Sequence, residues 1–292
     1  MSTVELPVVV GVDGSEPSLR AADWAADEAA LRALPLRVVF ASLWEHYEGC
    51  ALAEDFGKPS EEVRAEDIVT VAARRAQRRR PGLRVTTDVR FREAEYALVC
   101  EGRNATALVV GTRGRSGLAE ALLGSVSTAV AARADCPVVL VRGNHDNQAA
   151  VATHGHVVVG VGDGAEESAV IHFAADEARL RGVPLTAVRA WRRPAHDTTD
   201  HPLLVGGSAR VQEQRAAETL ETALAGIPPE VKVLRATVEG PSRRALAIAS
   251  LDADLLVVGA RRGGGRFGTP LGRVGHAVLH HAACPVAVVP HY

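Results

Sequence analysis

The chain is predicted to fold as two tandem α/β domains, each a doubly wound, five-stranded parallel sheet in the order 3-2-1-4-5 with helices on both faces. Three observations predict this. The first is a long internal repeat. Val8-Val9-Val10-Gly11-Val12 returns as Val157-Val158-Val159-Gly160-Val161, and Ala25-Ala26-Asp27-Glu28-Ala29 returns as Ala174-Ala175-Asp176-Glu177-Ala178, both at an offset of 149. Leu108-Val109-Val110-Gly111 and Cys136-Pro137-Val138 return as Leu256-Val257-Val258-Gly259 and Cys284-Pro285-Val286 at an offset of 148. A slip of one residue over that span marks a duplicated domain, because solenoid units repeat roughly every 20 to 50 residues. The second observation is that the apolar runs are rich in Val and unbroken, as in strands buried on both faces. The third is that amphipathic stretches separate these runs, which is the pattern of strand-helix-strand units.

In the first unit, residues 7–12 are the first strand, and Asp13-Gly14-Ser15 turns the chain into a helix near 17–33. Asp13 can close an Asx turn or cap that helix, or it can accept hydrogen bonds from a ligand at the strand end. The second strand is near 36–41, and a long loop, 42–59, follows it. The next helix, near 60–79, opens on Glu61 and Glu62 and closes on Arg74, Arg75, Arg78, Arg79 and Arg80, charges that complement the helix dipole. Strands near 84–90 and 107–111 flank a helix near 94–103. The last helix, near 124–134, leads to a closing strand at 137–142.

The second unit repeats the strands near 156–161, 185–190, 232–238, 254–259 and 285–289, with a second long loop from Trp191 to about Ser208. Loops after strand carboxyl ends often cover the ligand crevice of such sheets. The polar link 143–155 has no apolar period, so the domains are 1–143 and 154–292.

Composition narrows the function. Cys50, Cys100, Cys136 and Cys284 are too few for a disulfide framework and show no CxxC spacing, which points to a reducing cytosol and away from zinc. No run approaches 18 apolar residues and no basic-then-apolar leader is present, so neither a membrane span nor export is expected. A formal net charge of -2 offers no field to nucleic acid. His276 and His280 have the i, i+4 spacing of metal ligands but no third ligand near in sequence, and are read as surface residues.

The chemistry-bearing segment follows the fourth strand: Gly111-Thr112-Arg113-Gly114-Arg115-Ser116-Gly117, then Gly124-Ser125-Val126-Ser127 opening the last helix. Glycines there can take positive φ and let a ligand approach the backbone, and the first amides of the helix have no internal partner. Such a turn suits phosphate, with the Ser125 and Ser127 hydroxyls as further donors and Arg113 or Arg115 as charge partners. Its seat is where the strand order reverses, opposite Asp13.

Gly-Val-Asp-Gly-Ser after a Val-rich strand, Leu-Val-Val-Gly-x2-Gly-x9-Gly-Ser-Val-Ser and a closing Cys-Pro-Val-Val-Leu-Val together resemble the universal stress protein family, in its tandem two-domain form. That family has an ATP-binding branch marked by this glycine spacing and a branch that lacks it. The resemblance implies that Gly11, Val12, Asp13, Ala41, Gly111, Thr112, Arg113, Gly114, Arg115, Gly117, Gly124, Ser125, Val126 and Ser127 form a nucleotide site, with Ala41 near adenine and Val126 near the phosphates. ATP would bring Mg²⁺ through its phosphates. In the second unit Gly160, Gly259 and Gly272 persist, but Arg262 stands for the second glycine, Arg273 and Gly275 for the two serines, and Gly162 for the aspartate. A second site is expected to be weak or absent, unless Gly263-Gly264-Gly265 shifts the turn and Arg262, Arg266 and Arg273 clamp phosphate. The resemblance further implies a pseudo-dimer through the last strand of each domain; a homodimer of chains is compatible with it.

No Gly-x4-Gly-Lys-Ser/Thr, His-Glu-x2-His or Gly-x-Ser-x-Gly occurs, so an enzyme is not expected. The expectation is a cytoplasmic ATP-binding stress-response regulator whose bound and free forms differ in surface. The alternatives are a nucleotide-independent scaffold, a slow ATPase or a flavin carrier.

Overall fold

The computed structural model describes residues 5–42, 61–112, 123–142, 155–162, 168–193, 207–261 and 271–291. The chain divides into two compact units, Met1–Ala150 and Val151–Tyr292. The first contains β1 (Val8–Val12), α1 (Glu16–Leu31), β2 (Leu36–Ala41), α2 (Glu61–Arg79), β3 (Val85–Arg90), α3 (Ala94–Gly102), β4 (Ala107–Gly111), α4 (Ser125–Arg133) and β5 (Val138–Val141). Its strands lie in the order β3-β2-β1-β4-β5 and all run parallel. The second contains β6 (Val157–Gly160), α5 (Ser168–Arg181), β7 (Leu185–Trp191), α6 (Gly207–Leu224), β8 (Val233–Glu239), α7 (Ser242–Ala249), β9 (Leu255–Arg261), α8 (Gly272–His281) and β10 (Val286–His291). It repeats the order as β8-β7-β6-β9-β10, again parallel. The strands predicted in both units and the helices predicted in the first are present, with ends shifted by at most two residues.

Burial explains the order. Val8, Val9 and Val10 of β1 and Leu108 and Val109 of β4 are fully buried, and these strands take the central places. β3 carries Thr86, Thr87 and Arg90 on exposed positions and lies at an edge. Helices α1 and α2 contact each other on one face, and α3 and α4 on the other.

The duplicated Ala-Ala-Asp-Glu-Ala segment has a structural cause. Glu28 and Glu177 are 2% and 0% exposed, and each pairs with the arginine one turn further on, Arg32 and Arg181. A buried carboxylate needs a counter-ion, and the helix supplies it locally in both units.

The arginine run of α2 does more than complement a dipole. Arg75 pairs with Asp23 at 2.7 Å and with Glu16 at 3.3 Å, while Arg79 and Arg80 both pair with Asp27 at 2.7 Å. These contacts clamp α2 onto α1. Hydrogen bonding to Asp23 raises the pKa of Arg75, and hydrogen bonding to Asp27 raises that of Arg79.

Candidate functional site

β1 and β4 are neighbours in the first sheet, yet the chain leaves their carboxyl ends toward opposite faces, β1 into α1 and β4 toward α4. A cavity of about 280 Å³ opens at this point. Its wall takes Gly11, Val12 and Asp13 from the end of β1, Ala41 from β2, Gly111 from β4, and Gly124, Ser125, Val126 and Ser127 from the start of α4. Residues 100 or so apart in sequence are thus brought to one crevice. Thr112 fixes the turn behind it: its amide donates to the Val141 carbonyl at 3.1 Å, and its carbonyl accepts from the Gly124 amide at 2.8 Å. Arg113, Gly114, Arg115 and Gly117 lie outside the described residues.

Of the turn's glycines, the two that are described, Gly111 and Gly124, do not take positive φ. Gly124 is the N-cap of α4 at φ -63° and ψ 146°, and Gly111 is not among the glycines with positive φ. Gly111 is required by close approach instead. A Cβ there would stand 2.8 Å from the Pro17 carbonyl oxygen and 2.9 Å from its carbon, which are backbone atoms of α1. Gly11 meets a similar demand on the other face, where a Cβ would lie 2.9 Å from Leu98 Cδ1.

With Gly124 as cap, no side chain closes the start of α4. The amides of its first turn have no carbonyl to bind within the helix, and they give this end of the cavity a partial positive charge. Ser125 is exposed, but Ser127 is buried and its hydroxyl donates to the Gly111 carbonyl at 2.6 Å. Its proton is therefore committed to tying α4 to β4, not offered to a ligand as the sequence reading has it. Asp13 combines both of its readings. Oδ1 accepts from the Ser15 amide at 2.9 Å and from the Ser15 hydroxyl at 2.6 Å, an Asx turn, and the residue still lines the cavity. The N-cap of α1 is Ser15 itself.

The sequence reading misses Ser18, Val39, Ala94, Leu98 and Val110, which complete the wall. Ala94 and Leu98 are one helical turn apart on α3, so the i, i+4 rule could have paired them once α3 was placed against β1. Ser18, three residues after the N-cap, accepts from the Asp13 amide at 3.2 Å and donates to the Ser15 carbonyl at 2.8 Å. One end of the cavity is thus apolar, at Val39, Ala41, Leu98 and Val110, and the other presents helix amides, hydroxyls and a carboxylate.

In the second unit Gly160 repeats the packing of Gly11, with Leu246 Cδ1 2.9 Å from a Cβ. Gly259 faces His291 Nε2 at 2.9 Å, and Gly272 has φ +61° with open space around it. Leu271, in helical geometry, caps α8, and Arg273 is exposed while Gly275 is buried. The large cavity of this unit, about 900 Å³, has none of Gly160, Gly259 or Gly272 on its wall. Residues 262–270 and Asp163 lie outside the described residues. His276 and His280 have ring centroids 4.7 Å apart, and among the described residues no three His, Cys, Asp or Glu side chains gather as for a metal ion. No described helix is long and apolar enough to cross a membrane.

Fold and site define a tandem pair of doubly wound α/β domains, the first with a crevice at the strand-order reversal where such sheets hold small ligands. The Universal stress protein family matches residues 6–142 and again 153–290. The chain belongs to that family. It is 34% identical over 303 residues to a universal stress protein of Mycobacterium tuberculosis, covering 96% of each chain. It is also 34% identical over 300 residues to one of Mycolicibacterium smegmatis, covering 99% of this chain and 98% of that one. A crystal structure of a universal stress protein from Archaeoglobus fulgidus shares the fold, with a TM-score of 0.68 and 17% identity over 99% of both chains.

Proposed function

We propose that the chain is a cytoplasmic ATP-binding stress-response regulator, which holds one nucleotide in its first domain with little or no turnover. The observation that carries this reading is the cavity, which sets an apolar wall at Val39, Ala41 and Leu98 opposite the uncapped start of α4 and Asp13. A purine fits the first and phosphates the second. At about 280 Å³ the described cavity is near the lower bound of small-molecule sites, roughly 300 Å³. It takes a nucleoside, with the phosphates toward the mouth, beside Ser125. Mg²⁺ would enter with the phosphates and neutralise their charge.

In the second domain Gly162, Arg273 and Gly275 replace Asp13, Ser125 and Ser127, which supports a stoichiometry of one. Pairing of the closing strands in a pseudo-dimer belongs to the same reading, supported by the apolar runs Val138–Val141 and Val286–Val289 that would otherwise be sheet edges.

The test is equilibrium dialysis of the full chain with ATP and Mg²⁺, alongside thermal denaturation. At an ATP concentration of 100 Kd the first domain gains about 2.7 kcal/mol. Ala41→Trp fills the apolar end, and should abolish this gain while leaving the melting of the free protein near wild type. A stabilisation unchanged in Ala41→Trp, or no bound nucleotide in the wild type, overturns the reading.

A further inference from the structure

The two domains part company between their first two helices. In the first domain Phe40, 8% exposed, is the last residue but one of β2, and the arginines of α2 clamp that helix onto α1. The repeat, with β1 and β6 in the same register to their neighbours, puts Arg189 at the place of Phe40 and His172 at the place of Asp23. Counted back from β8 as the clamp is from β3, Ala223, Ile227 and Pro228 stand for Arg75, Arg79 and Arg80. Asp176, the counterpart of Asp27, pairs within its own helix with Arg179. Every member of the clamp but one has gone, and a buried aromatic has become a guanidinium.

The space so released is the cavity of about 900 Å³ between α5 and α6 over β7. It is not a bare void. Arg189 rises from its floor and donates to the Val161 carbonyl at 3.1 Å. The indole Nε1 of Trp191 is buried and meets no hydrogen-bond acceptor among the described residues. Arg192 and Arg215 stand on the wall, exposed and without a carboxylate partner among those residues. The one acidic side chain on the wall, Glu218, accepts from Gln214. His172 is engaged with Ser168 through Nδ1. Ile171, Ala216 and Ile227 supply apolar surface between these groups.

From this arrangement we infer that the second domain binds a small organic anion in the α5–α6 cavity. The acid group lies at Arg192 and Arg215, and the apolar body rests on Ile171 and Ile227. The cavity wall includes Gly162 and Ala190, the counterparts of Asp13 and Ala41, together with Ile171, His172 and α6 residues whose counterparts have no part in the first domain's crevice. Planar guanidinium groups suit carboxylate, sulfonate and phosphate alike.

The test uses the full chain in saturating ATP, titrated with anilinonaphthalene sulfonate and, separately, with uncharged phenylnaphthylamine. One sulfonate is expected to bind per chain. The neutral probe and the double variant Arg192→Gln/Arg215→Gln should each bind roughly tenfold more weakly, the loss of about 1.4 kcal/mol. Both arginines are exposed, so this variant should fold, which circular dichroism checks. His172→Asp/Ala223→Arg, which rebuilds the clamp, should also lose the probe. Inorganic phosphate and acetate as competitors distinguish a phosphate-bearing from a carboxylate-bearing ligand. Equal binding by the neutral probe or by the arginine variant overturns the proposal, and so does displacement of the sulfonate by ATP.

Discussion

Removing Arg75 should cost the first domain more than removing its partner Asp23, although they form one ion pair. Asp23 accepts three hydrogen bonds from Arg75, at 2.9, 3.0 and 2.7 Å, and its side chain is 8% exposed against 25% for Arg75. Stripping one partner from a fully buried pair costs about 3–5 kcal/mol, and an exposed pair is worth roughly 0–1 kcal/mol. With one end in partial contact with water, Arg75→Ala should cost about 2–3 kcal/mol, because a nearly buried carboxylate is left alone. Asp23→Ala should cost about 1–2 kcal/mol, since Arg75 can settle on Glu16, which it already touches at 3.3 Å, and on solvent. The double variant should be no worse than Arg75→Ala, a coupling of about 1–2 kcal/mol. Trp24 lies buried on α1 beside Asp23, so urea unfolding read by fluorescence, with Trp44 and Trp191 replaced by Phe, isolates this domain. Because the folded pKa of Arg75 is raised above its ordinary value, its contribution is fully present below that ordinary value and is lost only as pH rises through the raised one. Its share of stability should therefore be level from neutral pH to strongly alkaline solution. Strict additivity of the two single variants, or costs below about 0.5 kcal/mol, would refute the clamp.

Three further outcomes follow from the geometry. Gly111→Ala should lower first-domain stability by about 1–3 kcal/mol in the same unfolding assay, because its Cβ meets the immobile backbone of Pro17, and the loss should appear without nucleotide. Gly272→Ala should cost about 1–2 kcal/mol in the second domain purely through its φ of +61°, since nothing lies within 4 Å; Gly272→Asn, which tolerates that conformation, should recover part of it in thermal melts. Asp13→Ala removes two hydrogen bonds to Ser15, so it should cost about 1 kcal/mol and weaken ATP binding measured by calorimetry, whereas Ser15→Ala should reproduce only the stability loss.

What could be read in the sequence, and what could not, follows from the range of each interaction. The strands announce themselves because a β-strand buried on both faces is an unbroken apolar run, and duplication prints each run twice. The crevice was readable to the extent that the ends of β1 and β4 must meet once the order reverses. The destination of the α2 arginines was not, since local pattern cannot tell a carboxylate one turn away from Asp23, 52 residues back. Nor could spacing say why Gly111 is a glycine, because the cause is a neighbouring backbone and not its own dihedral angles. The shared letters mislead in the same way. Gly111 and Gly259 are one letter with two causes, Pro17 in the first domain and His291 in the second.

Identity between the copies therefore reports the common sheet, and the differences carry the information about ligands. Asp13 against Gly162, Ser125 against Arg273 and Ser127 against Gly275 fall around the first domain's crevice, while Phe40 against Arg189 and Asp23 against His172 fall around the second domain's cavity. The first set removes a carboxylate and two hydroxyls and the second replaces an aromatic and a carboxylate by basic groups, which is what two domains with different ligands would show. Exchanging Phe40 and Arg189 tests this directly: Arg189→Phe should abolish binding of the aromatic sulfonate without changing ATP binding, and loss of both together would tie the cavities into one function.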